Sequence, residues 1–370
     1  MKELSVLIKP ASSSCNLRCR YCFYQDVCSY RDVFNYGLMA FDIAEAVINN
    51  IFSELEDYSY LQIAFQGGEP TLAGLPFFQK FITLVSSKAL AKNIHVEYTI
   101  QTNGLLLNND WFDFFVENDF LVGISLDGPR HIHDSNRYYP DGSGTFDKVM
   151  SVIDKLKKNN IPFNILCVLT NESAACPKLL WDFFLSHDLN YIQFIPCLDD
   201  LQGNNSSTAL SPQSFSSFYV ELYNLWEKEL EKGKYISIRL FDDIANLLIH
   251  HQVTACGMHG ECNLQYIIES DGRVYPCDFY VLDKYCLGNI TNQHLSEINK
   301  AYLSNCFHKL REEVPLKCRN CLYKSICGGG CVRLKDAMYL NGDFCGFYDL
   351  LTKIGNRLIS AAQFIELYLR

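Results

Sequence analysis

The spacing of its cysteines limits what this chain can fold into more than any other feature. Of 17 cysteines in 370 residues, eleven fall into two groups, and the first is a C-x3-C-x2-C triplet of Cys15, Cys19 and Cys22. The second group lies in the last third of the chain and contains Cys256, Cys262, Cys277, Cys318, Cys321, Cys327, Cys331 and Cys345. A 4Fe–4S cluster takes four cysteine thiolates, so three thiolates leave one iron open and eight complete two clusters. We therefore predict three 4Fe–4S clusters, one available for chemistry and two for electron transfer.

Composition and charge narrow the class of protein further. With 48% hydrophobic and 20% charged residues, the chain has the composition of a globular protein. Its 370 residues are enough for two domains, or for one large domain and an extension. The net charge of −10, without a basic run, argues against a nucleic-acid partner. The N-terminal apolar run is too short for a signal peptide and no later segment spans a membrane, so we expect a cytoplasmic protein without membrane contact. In that compartment cysteines serve metal binding or redox chemistry rather than disulfides.

Apolar runs alternate with helix-length segments over the first 230 residues. The runs predicted as buried parallel strands are Leu4–Lys9, Leu61–Phe65, Val96–Gln101, Leu121–Leu126, Phe163–Thr170 and Tyr191–Ile195. The segments predicted as helices are Ala40–Leu55, Leu75–Ser87, Asp110–Asn118, Phe146–Lys158 and Cys176–Ser186. Strands that alternate with helices predict an α/β open sheet or partial barrel. In such folds the active site lies at the carboxyl ends of the strands, and the cysteine triplet directly follows the first of them.

The remainder of the chain has fewer regular elements and more cysteine. A long predicted helix, Pro212–Lys232, carries an aromatic stripe that we interpret as core. Further on, Ser270-Asp271-Gly272 predicts a hairpin turn that brings Cys262 and Cys277, on its two arms, towards each other. The sequence thus indicates a small C-terminal domain held together by metal rather than by a large core.

The triplet lies in the segment Cys15-Asn16-Leu17-Arg18-Cys19-Arg20-Tyr21-Cys22-Phe23. A zinc site is the alternative, but it lacks a fourth ligand here because the nearest histidine is His95. The segment resembles the signature of the radical S-adenosylmethionine superfamily, including the aromatic residue before the last cysteine. The resemblance implies an open 4Fe–4S cluster that binds S-adenosylmethionine and releases a 5′-deoxyadenosyl radical. The protein's part is to position this cofactor and exclude other reactions.

Later strand ends match the same superfamily in order. Phe65-Gln66-Gly67-Gly68-Glu69-Pro70 closes the second strand and resembles the GGEP motif, whose glycines let the backbone approach a ligand closely. Gln101-Thr102-Asn103-Gly104 and Ser125-Leu126-Asp127-Gly128-Pro129 place small polar groups at the same edge, although each alone is also a turn sequence. We interpret His131 and His133 as solvated loop residues rather than metal ligands.

The second cysteine group matches the SPASM extension of radical S-adenosylmethionine enzymes. Its pattern runs Cys318-x2-Cys321-x5-Cys327-x3-Cys331 and ends at Cys345, although Cys318-x2-Cys321 alone also fits a zinc ribbon. By this resemblance one auxiliary cluster is held by Cys256, Cys262, Cys277 and Cys331. The other is held by Cys318, Cys321, Cys327 and Cys345. The cysteines outside any pattern are interpreted as structural: Cys28, Cys167, Cys176, Cys197, Cys286 and Cys306.

Segments outside the cluster motifs extend the match over nearly the whole chain: Leu7–Ser12, Phe65–Gly74, Phe163–Val168 and Tyr275–Lys284. With them the chain resembles the anaerobic sulfatase-maturating enzymes, which oxidise a sulfatase cysteine or serine to Cα-formylglycine. The implied substrate is a C/S-x-P-x-R segment of an unfolded or nascent sulfatase. The implied fold is a partial (β/α)6 barrel over residues 1–232, followed over residues 233–370 by a cysteine-rich SPASM domain with two auxiliary iron–sulfur clusters and a C-terminal helix.

The resemblance also assigns roles to single residues. S-adenosylmethionine would be contacted by Tyr21, Gly68, Ser125, Arg137 and Leu198. The peptide would be contacted by Tyr24, Gln66 and Arg239. Asp278 adjoins Cys277 between aromatic residues, where a carboxylate can accept a proton, so we predict that it is the catalytic base. The alternative for Asp278 is a hydrogen-bonded surface aspartate.

Formylglycine formation removes two electrons from the target residue, so an auxiliary cluster is the expected acceptor of the second electron. A ferredoxin or flavodoxin is the expected reductant of the cluster at the cysteine triplet. Two other functions stay open. One is a SPASM maturase of ribosomally made peptides that forms thioether or carbon–carbon crosslinks, although the first motif at Cys15 leaves no room for the usual leader-binding domain. The other is an electron carrier, which would need neither the open triplet nor a six-strand scaffold.

Overall fold

The structure, a computed structural model, describes residues 1–204, 206–311 and 315–369. Its strands, in chain order, are β1 (Glu3–Ile8), β2 (Tyr60–Phe65), β3 (His95–Thr102), β4 (Leu121–Ser125), β5 (Phe163–Leu169), β6 (Tyr191–Pro196), β7 (Ser237–Ile238), β8 (Ile267–Ile268), β9 (Arg273–Tyr275), β10 (Gly288–Asn289), β11 (Leu340–Asn341) and β12 (Phe344–Cys345). Each of the six predicted buried strands is therefore confirmed.

The α-helices, in chain order, are α1 (Phe23–Ser29), α2 (Phe41–Glu54), α3 (Leu75–Lys92), α4 (Asn109–Glu117), α5 (Arg130–Asn136), α6 (Phe146–Lys158), α7 (Asn171–Ala174), α8 (Pro177–Ser186), α9 (Pro212–Glu231), α10 (Arg239–His250), α11 (Leu295–Ser304), α12 (Leu316–Arg319), α13 (Lys324–Cys327) and α14 (Gly346–Leu369). Their ends follow local rules. The Asn108 side chain accepts a hydrogen bond from the Trp111 amide at the start of α4, and Ser211 caps α9 ahead of a proline at its first position.

The chain divides into two compact units that interleave along the sequence. Unit 1 comprises Met1–Ser125, Arg137–Phe163 and Leu264–Lys309. Unit 2 comprises Leu126–Asn136, Asn164–Asn263 and Leu310–Arg370. The predicted domain boundary between residues 232 and 233 divides the chain by function, whereas the two units are defined by compactness alone. The boundary therefore stays a prediction.

Within unit 1, strands β1 to β4 pair in parallel in chain order. On the other side of β1 the short strand β8 adds in parallel, and β9 and β10 continue in antiparallel. Ile8, near the end of β1, therefore lies between Phe65 of β2 and Ile268 of β8. This pairing was not predicted, because nothing local in a two-residue strand specifies its partner.

The core of unit 1 is rich in aromatic side chains. The Phe65 ring packs edge-on against the rings of Phe78 and Phe81, with centroid distances of 5.0 and 5.3 Å. Such edge-to-face contacts add to the burial of large apolar side chains and fix the helix α3 on the sheet. A rigid sheet holds the loops at the carboxyl ends of its strands in place.

Within unit 2, strands β5, β6 and β7 pair in parallel, and helices α8, α9, α10 and α14 contact one another or the strands. The aromatic stripe of α9 is buried, as predicted: Phe215, Phe218, Tyr219 and Trp226 are at most 3% exposed. Tyr219 packs against Phe241 of α10 with their ring centroids 5.9 Å apart. Among the described residues, no helix combines the length and the apolar character needed to cross a membrane.

Candidate active site

The cysteine triplet lies in the loop between β1 and α1, at the carboxyl end of the first strand. Cys22 is the N-cap residue of α1, and the amide of Leu17 donates to the Sγ of Cys15 at 3.4 Å. Burial, together with the nearby Glu69, Cys19 and Cys22, raises the pKa of Cys15 to about 12. A thiolate is unfavourable in such a place without a positive partner, which iron supplies. The donor set therefore fits a metal cluster.

Over the part of the chain that the structure describes, no three histidine, cysteine or acidic side chains converge on one ion position. A zinc site gathers all its ligands within about 2.3 Å of one ion, whereas a cluster spreads its cysteines over several irons. Cluster ligation by the cysteines stays a proposal.

The loop after β2 runs directly against the cysteine loop. The amide of Gly68 donates to the carbonyl oxygen of Ser12 at 2.8 Å, and the amide of Glu69 donates to that of Ser14 at 2.8 Å. A side-chain carbon at Gly68 would collide with the Ser14 carbonyl group, so only glycine allows this approach. The GGEP-like segment therefore shapes the loop that carries Cys15.

Glu69 is a buried carboxylate that sequence reasoning did not single out. Its Oε1 accepts hydrogen bonds from the Thr71 amide at 3.1 Å, the Thr71 hydroxyl at 2.6 Å and the Thr102 hydroxyl at 2.7 Å, and its Oε2 accepts from the Asn103 amide at 2.8 Å. Burial raises its pKa. The Asn103 side chain in turn donates to Asn16 at 2.7 Å, within the cysteine loop. Glu69 therefore joins the ends of β2 and β3 to that loop.

Two residues predicted to contact S-adenosylmethionine lie side by side. The guanidinium carbon of Arg137 lies 5.4 Å from the centroid of the Tyr21 ring, a cation–π distance. The carbonyl oxygen of Tyr138 accepts from the Arg18 amide at 2.9 Å, so the backbone after α5 is attached to the cysteine loop. Ser125 ends β4 in unit 1, whereas Leu198 follows β6 in unit 2. Their contacts with the cofactor stay proposals.

Asp278 begins a short helical turn, Asp278–Tyr280, just after β9. Its Oδ1 lies 2.5 Å from the ammonium nitrogen of Lys9, and its Oδ2 accepts a hydrogen bond from Gln66 at 3.1 Å. The Asp278 side chain is 15% exposed and that of Lys9 is fully buried. The ring of Phe279, in the same turn, packs against Phe23 of α1 at 5.3 Å. Asp278 is thus an ion-paired, mostly enclosed carboxylate rather than a surface aspartate.

Tyr24, predicted to contact the peptide, is 1% exposed. Its hydroxyl donates to Oε1 of Glu269, and its ring lies under the Lys9 ammonium at 3.9 Å from the ring centroid. Burial and Glu269 raise the pKa of Tyr24, so the hydroxyl stays protonated. Glu269 also pairs with Arg31 at 2.6 Å. Sequence reasoning missed Lys9, Arg31 and Glu269, because a charged residue carries no local sign that it is buried.

Arg239, the third residue predicted to contact the peptide, begins α10 in unit 2. Its Nε donates to Asp243 at 3.0 Å and its Nη2 to the carbonyl oxygen of Thr254 at 2.7 Å, two residues before Cys256. About half of its side chain is exposed, at 49%. Arg239 therefore has free surface for a ligand and also ties down the segment that leads to Cys256.

The cysteines of unit 2 form two groups. The pKa of Cys327 is raised to about 11, mainly by burial and also by the neighbouring Cys321, Cys345 and Cys318. Likewise, burial and then Cys331 and Cys262 raise the pKa of Cys256 to about 11. A side-chain carbon at Gly257 would lie 2.8 Å from Cβ of Cys331, so glycine permits this approach. Cys277 belongs to unit 1. The two groups in unit 2 contain seven of the eight cysteines of the predicted quartets, all but Cys277, and cluster ligation by these quartets stays a proposal.

Two sequence interpretations need correction. His133 is fully buried, not solvated, and its Nδ1 accepts a hydrogen bond from the amide of Asp127 at 3.3 Å. His131, by contrast, is exposed. Among the cysteines interpreted as structural, Cys28, Cys167 and Cys197 are buried, but Cys176 and Cys306 are exposed and do not belong to the core.

Comparison with known proteins shows which family this chain is similar to. The chain matches the family models of the Radical SAM superfamily over residues 10–180 and of the SPASM iron-sulfur cluster-binding domain over residues 259–322. The cysteine-type anaerobic sulfatase-maturating enzyme of Clostridium novyi is 42% identical over 92% of this chain and 91% of its own. The serine-type enzyme of Bacteroides thetaiotaomicron is 30% identical over 92% of this chain and 86% of its own.

A solved structure, native anSMEcpe with bound AdoMet and Kp18Cys peptide, is similar to this chain with a TM-score of 0.89 and 38% identity. The similarity covers 98% of this chain and 99% of that one. The predicted radical S-adenosylmethionine and SPASM architecture is confirmed, and the chain belongs to the family of anaerobic sulfatase-maturating enzymes.

Proposed function

We propose that this enzyme oxidises an active-site cysteine or serine of a sulfatase to Cα-formylglycine, in a C/S-x-P-x-R segment of the unfolded or nascent chain. The observation that carries the proposal is similarity over more than 90% of both chains to an enzyme named for sulfatase maturation. The peptide in the similar solved structure supports a peptide substrate. The crosslinking maturase is not favoured by these relatives.

The proposal includes three 4Fe–4S clusters and S-adenosylmethionine. Cys15, Cys19 and Cys22 would hold the open cluster, and S-adenosylmethionine would be contacted by Tyr21, Gly68, Ser125, Arg137 and Leu198. When bound, this pair supplies the 5′-deoxyadenosyl radical that abstracts a hydrogen atom from the target Cβ. The two cysteine quartets would hold the auxiliary clusters that take up the second electron.

Asp278 is the proposed catalytic base for the thiol or hydroxyl proton of the target residue. The ion pair with Lys9 and the hydrogen bond from Gln66 hold its carboxylate in place. Enclosure keeps bulk water from competing for the proton. Gln66 and Arg239 are proposed to contact the peptide, and Gln66 does so beside the base. The structure does not support the predicted peptide contact of Tyr24, because that residue is only 1% exposed.

We propose cysteine as the preferred target residue. The relatives named cysteine-type are 40–42% identical to this chain, whereas those named serine-type are 29–30% identical. A thiol also loses its proton to a carboxylate more easily than an alcohol does, because its pKa is about 8.5. The proposed reductant is a ferredoxin or flavodoxin, and the proposed location is the cytoplasm.

The test is anaerobic incubation of the reconstituted protein with dithionite, S-adenosylmethionine and two peptides that differ only in Cys-x-Pro-x-Arg or Ser-x-Pro-x-Arg. Mass spectrometry follows the peptides and 5′-deoxyadenosine. We expect formylglycine from the cysteine peptide, in excess over that from the serine peptide. Deoxyadenosine with both peptides unchanged would contradict sulfatase maturation and favour the crosslinking alternative, and equal yields would contradict the cysteine preference.

A further inference from the structure

Lys9 is a fully buried lysine at the carboxyl end of β1. Its amide donates to the carbonyl oxygen of Ile268 at 2.8 Å, so β8 fixes its backbone. A buried ammonium group is costly unless it is paired, and the chain keeps this one beside the proposed base. The position therefore calls for an explanation beyond packing.

Two groups surround the Lys9 ammonium. The Asp278 Oδ1 lies 2.5 Å away in a contact that has ion-pair rather than hydrogen-bond angles, and the Tyr24 ring centroid lies 3.9 Å away. A cation over an aromatic face is attracted most strongly when both are shielded from water, as they are here. The ring thus limits how far the ammonium can move from Asp278.

The Tyr24 ring is itself held by a second ion pair. Its hydroxyl donates to Glu269, whose Oε1 lies 2.6 Å from Nη1 of Arg31. Arg31 donates through Nη2 to the carbonyl oxygen of Phe34 at 2.8 Å, and Glu269 accepts from the Ser270 amide at 3.2 Å. The two cations and two anions of this group balance in charge inside unit 1.

We propose that Lys9 is a positioning residue that holds the Asp278 carboxylate in place, and that the Tyr24 ring, pinned by Glu269 and Arg31, holds Lys9. This inference rests on the proposed role of Asp278 as base. In this proposal the role of Tyr24 depends on its aromatic ring, because the ring face makes the contact with Lys9. Proton transfer through the Tyr24 hydroxyl is not required.

The experiment compares Lys9→Met with the wild-type holoenzyme on the cysteine peptide. We expect the ratio of formylglycine to 5′-deoxyadenosine to fall about 10–100-fold, the usual effect of misplacing a reacting group. Deoxyadenosine formation, iron content and the spectrum of the reduced clusters should stay at wild-type level. A crystal structure of the variant should show the Asp278 carboxylate turned from its place beside Gln66. Lys9→Arg should recover part of the ratio.

Two further variants separate the ring from the hydroxyl. Tyr24→Leu removes the ring and should lower the ratio as Lys9→Met does, whereas Tyr24→Phe keeps the ring and should stay within about twofold of wild type. The matched control is Lys155→Met, since Lys155 also lies over a ring, that of Phe112 at 5.8 Å, but is hydrogen-bonded to Asn109. It should not change the ratio.

Several results would overturn the inference. They are a wild-type ratio in Lys9→Met, an unmoved Asp278 in its crystal structure, or a loss in Tyr24→Phe as large as in Tyr24→Leu. A failure of the proposed function is seen separately, because the wild-type enzyme would then make no formylglycine at all. In that case the position of Asp278 in the Lys9→Met crystal structure still tests the inference.

Discussion

At the scale of the residue, function depends on a few charges kept away from water. Asp278 faces Lys9 on one side and Gln66 on the other, and neither partner is near it in the sequence. A carboxylate that is charged, oriented and mostly enclosed is suited to remove one proton from a bound substrate. The neighbouring Cys277 and Phe279 single out Asp278 as a candidate in the sequence. They do not indicate which residues are its partners.

Replacing Asp278 by asparagine tests this role. Asp278→Asn removes the proton acceptor while it keeps the size of the side chain, so we expect formylglycine formation to fall about 10²–10⁴-fold. Cleavage of S-adenosylmethionine should continue, because Asp278 belongs to none of the groups proposed to hold that cofactor. Mass spectrometry of the peptide and quantitation of 5′-deoxyadenosine measure both. Asp113→Asn, an exposed change on α4, is the control. A variant that forms the product at the wild-type rate would remove Asp278 as the base.

At the scale of the element, strand ends are joined by side chains rather than by the strands themselves. Glu69 connects the end of β2 to the end of β3 through Thr102 and Asn103, and Asn103 reaches the cysteine loop through Asn16. On the other side of β1, the strand β8 brings the segment with Glu269 and Asp278 against Lys9. The loop that carries the cysteine triplet is therefore braced from two neighbouring strands.

Glu69→Gln tests the brace on the β3 side. The Glu69 carboxylate accepts four hydrogen bonds, two of them from backbone amides. The glutamine side chain would place its NH2 group, a donor, against some of these same donors. A buried group left without its partner costs about 1–3 kcal/mol, so we expect the free energy of unfolding to fall by that amount. Anaerobic urea unfolding measures it, with the exposed Glu45→Gln on α2 as the control. Equal stability of the two variants would show that Glu69 does not brace the strands.

At the scale of the whole molecule, stability depends on pH through a buried carboxylate, that of Asp242. Asp242 on α10 is 8% exposed and accepts hydrogen bonds from the hydroxyls of Ser237 and Tyr235. Burial raises its pKa to about 6, against an ordinary value of 3.8. The folded protein therefore holds this proton more tightly than the unfolded chain does. The stability that this proton confers is complete below about pH 4 and is lost as the pH rises through about 6.

Asp242→Asn removes this pH dependence. At about 1.36 kcal/mol per pH unit, the shift amounts to about 3 kcal/mol, so the variant should gain up to that amount over wild type at pH 8. The gain should shrink as the pH falls below about 6, where wild-type Asp242 regains its proton, and should vanish near pH 4. Anaerobic denaturant unfolding of both proteins at several pH values measures the difference, and Asp113→Asn should show none. A gain that does not depend on pH would contradict the assignment to Asp242.

The sequence by itself determined the local and periodic features of this protein. Apolar runs predicted β1 to β6 and the long helices because strand and helix periodicity is written in neighbouring residues. Cysteine spacing predicted the cluster-binding segments, since ligands of one cluster that lie on one loop need short and fixed intervals. The resemblance carried by these motifs indicated the family, which the comparisons confirmed.

Only the tertiary structure decided which distant groups meet. Gln66 and Asp278 are 212 residues apart, and Tyr24 and Glu269 are 245 residues apart, yet each pair is hydrogen-bonded. The pairing of β8 with β1 brings these residues together. A two-residue strand has too short a sequence pattern to predict which strand it pairs with. The burial of Lys9, Glu69 and His133 was likewise invisible, because the cost of enclosing a polar group is offset by partners that the fold alone supplies.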